Sequence, residues 1–373
     1  MALFTLPPQQ NVSPSDATPF HNPLHPQRRI LAAEWAPQSG IQLTWPHAET
    51  DWAYMLEEVT ECYLRLAYEI ALRQPLLIVA PQPESVQTLI EQRLPQRATQ
   101  HIRYAACPTN DTWARDHAFL SVVGPDGLEL LDFRFNGWGG KFEATLDNAI
   151  NRHLHAEGHL CGRYVDCLDF ELEGGSIESD GCGTLLSTSL CLLNPNRNPA
   201  YNRQQIKAKL CHLLGAERIL WLEHGALAGD DTDSHIDTLA RLAPDNTIVY
   251  TAPPSDPTDS HYEDLRAMEA ELQALRTTDG APYRLVALPF PTAVYDEEGE
   301  RLPATYANYL VMNQAVLCPT YGQPSLDAQA LEAIGRAFPG REVVGIDCCA
   351  LVRQHGSLHC ATMQYPLGAF PDK

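Results

Sequence analysis

The chain is expected to form one α/β domain built from about five repeats of strand, helix and hairpin. Three observations lead there. Short β-branched or apolar runs alternate with longer amphipathic stretches along the chain. Dividing the roughly 330 residues after the N-terminal stretch by about 65 residues per unit gives close to five. No Gly/Ser- or Pro-rich tether interrupts the chain after residue 35. The units share no sequence identity, so the repeat rests on element order alone.

Residues 1–34 are rich in Pro, Gln, Asn and Ser and read as a mobile or draped arm, leaving 35–373 as the folded domain. Residues 41–45 alternate as a strand, 55–72 carry helical spacing, and 75–80 are a strand-sized apolar run. A helix over 85–94 and a strand over 101–107 follow. Two strands, 118–123 and 128–135, flank Gly124-Pro-Asp-Gly127, a turn sequence that makes them a hairpin. The alternation continues with 144–156, 164–172, 183–190, 201–214, 218–222, 236–242 and 247–251. It closes with 262–275, 283–288, 309–317, 326–338 and 342–345. Pro253-Pro-Ser-Asp-Pro257 is a loop too short to separate domains.

The balance of 26 Lys+Arg against 47 Asp+Glu gives a formal charge of −21. That disfavours nucleic acid, whose phosphates need a basic face, and suits a small cation. The N-terminal residues have neither a basic segment nor a long apolar core, and the apolar runs are too short to span a membrane. Eleven irregularly spaced cysteines and no paired CxxC spacing suggest free thiols in a reducing cytoplasm. No cofactor is indicated, and the chain is left open to homodimer formation.

Chemistry concentrates in four islands: Trp113-Ala-Arg-Asp116, Glu173-Gly-Gly175, His235-Ile-Asp237 and His359-Cys360. A cysteine attacks as its thiolate, and nearby positive charge increases the thiolate population. Most of the eleven cysteines need be no more than small hydrophobes; the company of the other islands singles out Cys360. His235 is the candidate proton shuttle, with a carboxylate two residues on. If 236–242 is a strand, His235 and Asp237 share a face. Glu173 precedes two glycines where the backbone turns sharply, placed to orient the imidazole or grip a substrate N–H.

Asp116 by itself suggests a salt bridge to Arg115. A planar guanidinium, however, matches carboxylates bidentately, so Asp116 and Asp237 become candidates for a clamp beneath a thiol. Trp45, Trp113 and Trp138 sit at expected strand ends or loops and would supply aromatic faces to a cation. Trp221 reads as ordinary core. Gly229-Asp-Asp-Thr-Asp-Ser234 is acidic enough for a solvated loop or a cation site, yet lacks the spacing of an EF-hand loop; no metal is assigned.

With Thr44-Trp-Pro-His47, Asn136-Gly-Trp-Gly-Gly140, Asp233-Ser-His-Ile-Asp237 and Tyr306-Ala-Asn-Tyr309, the islands resemble the agmatine deiminase/bacterial peptidylarginine deiminase family of guanidine-modifying enzymes. The resemblance implies a pentein fold, a five-bladed α/β propeller with a central active site. It implies Cys360 as nucleophile, His235 as acid/base, Asp116 and Asp237 on the guanidinium, and Glu173 paired with the histidine or substrate. Agmatine plus water would give N-carbamoylputrescine and ammonia through a covalent thiouronium. Peptidyl-arginine deimination is the rival activity, and a guanidine-binding scaffold the non-enzymatic one. Ser234 stands where the family usually has glycine, and Thr238 where asparagine often follows the aspartate.

Overall fold

The structure, a computed structural model, describes residues 28–371. Its described strands form six open sheets, and five of these share one topology. In each, a strand pairs antiparallel with a second, a helix crosses over, and a third strand returns parallel to the second. Leu120–Gly124, Gly127–Arg134 and Arg163–Glu171 make one such unit around helix Asp147–Ala156. Glu178–Ser179, Thr184–Thr188 and Arg218–Leu222 make the next around Arg203–Leu214. Ala240–Ala243, Thr247–Thr251 and Arg284–Leu288 follow around Tyr262–Ala274. Leu310–Val311, Ala315–Thr320 and Glu342–Asp347 complete that series around Pro324–Ala337.

The fifth unit joins the two ends of the chain. Gln38–Thr44 runs parallel to Leu76–Ala80, which runs parallel to Ile102–Ala106. Its antiparallel partner is Thr362–Pro366, from the far end of the sequence. Helix Leu56–Ala71 makes the crossover and buries Val59, Tyr63, Leu66 and Ile70, one stripe at helical spacing. Glu57 and Glu58 in its first turn oppose the positive end of the helix dipole. In the second crossover considered above, Asn202 and Gln205 satisfy each other's backbone N–H groups at the start of Arg203–Leu214.

Three expectations need correction. Residues 236–242 are not one strand: Ile236–Thr238 is a short 3-10 helix and pairing starts at Ala240. The Thr238 hydroxyl donates to the His235 carbonyl at 2.9 Å and curls the backbone there. Residues 309–317 are a hairpin that reverses around Asn313, whose amide is held by Gln38. Residues 183–190 end in a helical turn, Ser189–Leu192, capped by Thr188.

Of the expected arm over 1–34, residues 1–27 lie outside the described residues. The rest lies against the domain, as a draped segment would. Ile30–Leu31 pairs antiparallel with Leu120–Gly124, and Arg29 binds Glu129 at 2.7 Å. Glu34 reaches Arg115, Arg241 and His359. All eleven cysteines are free, and no described helix is long and apolar enough to cross a membrane.

Candidate active site

Each island lies immediately ahead of the first strand of a unit. Ala114–His117 precedes Leu120–Gly124, and Gly174–Ser176 precedes Glu178–Ser179. Ile236–Thr238 precedes Ala240–Ala243, and Cys360 precedes Thr362–Pro366. Repetition of one topology therefore carries residues far apart in sequence to the same end of their sheets. The equivalent position in the remaining unit, ahead of Leu310–Val311, holds Asn308.

Gly175 marks where they meet. A Cβ built on it would lie 2.6 Å from His235 Nδ1, 2.9 Å from Asp116 Oδ1 and 3.0 Å from Asp237 Oδ2. No side chain larger than hydrogen fits among three polar groups that close. The Gly175 N–H donates to Asp116 Oδ1 at 2.9 Å, and the Trp138 indole N–H donates to Asp116 Oδ2 at 2.9 Å. Trp138 reaches it from a left-handed backbone, with φ of 55° against 69° and 88° at Gly137 and Gly139. That conformation explains the glycines on either side of a tryptophan.

Cys360 Sγ lies 3.7 Å from Asp237 Oδ2 and accepts from Asn308 Nδ2 at 3.1 Å. Asn308 Oδ1 in turn accepts the backbone N–H groups of His359 and Cys360, at 2.9 and 3.2 Å. Asn308 thus orients the thiol. Sequence reasoning noted its motif without giving it a role; its equivalence to the other islands across the repeat was the missing signal. Burial pushes the Cys360 thiol well above its usual range, and the charges of Asp237 and Asp116 push it further.

His235 is fully buried, and neither ring nitrogen has a hydrogen-bond partner. Its Nδ1 is 3.7 Å from Asp116 Oδ1, within ion-pair range and beyond hydrogen-bond reach. Burial works against the charged ring, but Asp116, Cys191 and Glu173 outweigh it and the imidazole is pushed up to about 10. Burial raises Asp116 despite the opposing charge of His235. Burial also works against the charge on Asp237, yet its hydrogen bond and ion pair with His359 hold it below its usual value.

Both Glu173 oxygens accept from Arg197 Nε, at 2.8 and 3.0 Å, and its carboxylate reaches His235 by charge without a hydrogen bond. Arg197 also binds Asp233 at 2.8 Å and the Thr232 carbonyl at 2.9 Å. Lys141 takes the other Asp233 oxygen, and Asp230 accepts from the Ser234 backbone at 2.6 Å. The acidic loop over 229–234 is therefore tied to protein groups and braces His235. Donor atoms of Glu173, Cys191 and His235 do lie within 4.8 Å of one another, as do those of Glu34, Glu178 and His359. Arginine stands in both groups, Arg197 on Glu173 and Arg241 on Glu34 and Glu178.

A cavity of about 140 Å³ leads to Cys360, lined by Trp113, Asp116, Trp138 and Phe142. Its wall also includes Asp51, Asp111, Asp230 and Asp231, with His355 but neither Arg nor Lys. Burial, reinforced by the charge of Asp51, pushes Asp111 up to about 7 against hydrogen bonds from Thr112 and Trp113. Trp45 does not join this wall; it lines a separate cavity with His47, Leu56 and Val86, and packs edge-on against Tyr63. Trp221 is only half-buried, beneath the Arg203 guanidinium at 4.6 Å.

The family model of Porphyromonas-type peptidyl-arginine deiminases matches residues 30–366. The chain belongs to that family. Within reach of it is the agmatine deiminase of Stutzerimonas stutzeri, 32% identical over 362 residues that cover 90% of this chain and 95% of the relative. A cysteine-to-serine variant of the C. jejuni agmatine deiminase, solved with substrate bound, is 37% identical with a TM-score of 0.84, covering 91% and 97% of the two chains. A Porphyromonas gingivalis structure provisionally assigned as an arginine deiminase is 52% identical with a TM-score of 0.87, covering 92% and 100%.

Proposed function

We propose that this chain is an agmatine deiminase, converting agmatine and water to N-carbamoylputrescine and ammonia. The observation that carries this is the convergence of His235, Asp116 and Asp237 on Gly175, with the Cys360 thiol 3.7 Å from Asp237. The guanidinium N–H groups bind Asp116 and Asp237, each a charge-assisted contact worth about 1.5–3 kcal/mol. Burial first, and then the charges of Asp237 and Asp116, hold the thiol protonated; docking offsets those two charges, so Cys360 passes its proton to water as the cation arrives.

The thiolate then attacks the central guanidinium carbon, forming a C–S bond and a tetrahedral adduct. His235, protonated at neutral pH, gives its proton to one nitrogen, whose C–N bond breaks to release ammonia and leave a thiouronium. Now neutral, His235 takes a proton from the attacking water. Collapse of the second adduct breaks the C–S bond, sends the hydroxyl proton to water as the ureido C=O forms, and leaves a thiolate that regains its own proton from water when the product departs. Asn308 holds the sulfur in line throughout, and Glu173 acts on His235 through space while Arg197 fixes it.

The substrate's far end decides between agmatine and arginine. Four aspartates line the approach, which suits the second cation of agmatine. Free arginine would bring a carboxylate past them with no Arg or Lys among the lining residues to pair it, at a cost of several kcal/mol. An arginine inside a peptide lacks that charge, and the small cavity volume weighs against it. Supporting the larger picture, the repeated topology and the placement of each island suggest five pentein blades around an axis through the site. The described residues would then be one domain, acting in the cytoplasm alone or as a homodimer.

Ureido-product formation should be measured with agmatine, free arginine and a blocked arginyl peptide in parallel. Agmatine is expected to have the highest kcat/KM, by about 10³-fold over arginine. Better use of arginine or of the peptide would transfer the assignment to that substrate. Cys360→Ser should abolish turnover while retaining the fold, and quenching the wild-type enzyme in turnover should leave a substrate-sized adduct on the Cys360 peptide.

A further inference from the structure

Beneath the site lies a second buried histidine that the proposed chemistry does not use. His359 is fully buried, with Nδ1 2.7 Å from Asp237 Oδ2 and Nε2 2.6 Å from Glu34 Oε1. Both nitrogens face carboxylate oxygens at hydrogen-bond distance, so the ring is held at both ends. Glu34 is itself anchored by Arg241 and by Arg115, the latter at 3.2 Å. Arg241 continues to Glu178 and donates to the carbonyls of Ala307 and Tyr309, at 3.0 and 2.9 Å, on either side of Asn308. Arg115, Arg241, His359, Glu34, Glu178 and Asp237 thus form one buried network, in which burial pushes Glu178 up to about 8 despite the charge of Arg241. Such a network holds while complete and is costly to break at one member.

We infer that His359 is a positioning residue for the deimination reaction, with Glu34 behind it: the pair fixes the charge and rotation of Asp237. The contact occupies Oδ2, leaving Oδ1, buried and without a partner, as the oxygen available to the guanidinium. It also sets a hydrogen-bond partner on the carboxylate oxygen nearest the thiol, tempering the repulsion between Asp237 and a Cys360 thiolate. The N-terminal segment carrying Glu34 is thereby part of the site's electrostatics without touching substrate. This inference rests on the guanidinium-clamp reading of Asp237.

A double-mutant cycle tests it. His359→Gln is expected to lower kcat/KM for agmatine on the order of 10²-fold in otherwise wild-type enzyme, and much less when Asp237→Asn is already present. If the two losses multiply fully, His359 acts independently of Asp237 and the inference falls. Glu34→Gln supplies a second route to the same contact; its loss should be smaller and should also shrink in the Asp237→Asn background, so the cycle remains decisive if His359→Gln fails to fold.

A substrate-free measurement separates this inference from the choice of substrate. Alkylation of Cys360 by iodoacetamide at fixed pH, followed on its peptide, should slow several-fold in His359→Gln, but not in His359→Gln combined with Asp237→Asn. An equal slowing in both backgrounds would overturn the inference. Failure of wild-type enzyme to use agmatine, with the alkylation pattern as expected, would remove only the substrate assignment.

Discussion

His235 and His359 are equally inaccessible to solvent, yet their surroundings are opposite. Every polar atom of the His359 ring is engaged by a carboxylate, whereas the ring nitrogens of His235 have no hydrogen-bond partner and face charges beyond bonding distance. A ring bonded at both ends is fixed in place. A ring that lies near carboxylates but is bonded to none of them, with the Cys191 sulfur a polar neighbour besides, is held charged while its protons stay transferable. Burial alone does not distinguish a proton shuttle from a brace; the hydrogen-bond inventory does.

The largest way to break this contrast is to remove the shuttle. His235→Gln should cost about 10³-fold or more in kcat, because ammonia would leave without its proton donor. Wild-type activity should fall as pH rises past about 10, where His235 loses its proton, and the variant should lack that limb. Stability follows the same sign. A histidine raised from 6.5 to about 10 contributes stabilisation that is complete below 6.5 and is lost as pH rises through 10. Melting temperature should therefore decline more steeply between those values in wild type than in the variant. Parallel curves would mean that His235 is not charged in the folded protein.

A smaller effect comes from filling the meeting point. Gly175→Ala places a methyl group among His235, Asp116 and Asp237, and should reduce kcat/KM about 10²-fold at a stability cost of about 1–3 kcal/mol. Normal kinetics would show that the three groups are not required to converge. The smallest concerns Ser234, whose φ of 68° lies in the left-handed region where L-residues pay a penalty. Ser234→Gly should raise the melting temperature slightly and leave kcat within about twofold, since it relieves strain while keeping the Asp230 contact to the backbone N–H. A drop in activity would mean that the hydroxyl has a role of its own.

Much of this was legible beforehand, for identifiable reasons. Helices 56–71 and 324–337 announce themselves through apolar spacing, and the Gly124–Gly127 hairpin through its turn residues. His235 and Asp237 do approach the same point, but by way of a 3-10 turn; period-two reasoning reached them through the wrong geometry. Strand Thr362–Pro366 went unread because its partner is at the opposite end of the sequence, where no local pattern points. Long-range pairing also hid the Arg197–Glu173 contact and the place of Glu34, which composition had assigned to an arm. Trp45 shows the reverse error: a motif near the site in sequence logic that lines a different cavity.

The pairing of Gln38–Thr44 with the last described strand, Thr362–Pro366, sets the order in which a ribosome can deliver this enzyme. The Ser39 hydroxyl and its acceptor on Pro366 are 327 residues apart, a gap that translation crosses in about 15–65 s. Throughout that interval the nascent sheet around Gln38–Thr44 has one edge open, and the thiol that follows from residue 360 has not been made. Completing the sheet and installing the nucleophile are thus nearly one event. A newborn chain remains chemically silent until the strand that closes its architecture arrives.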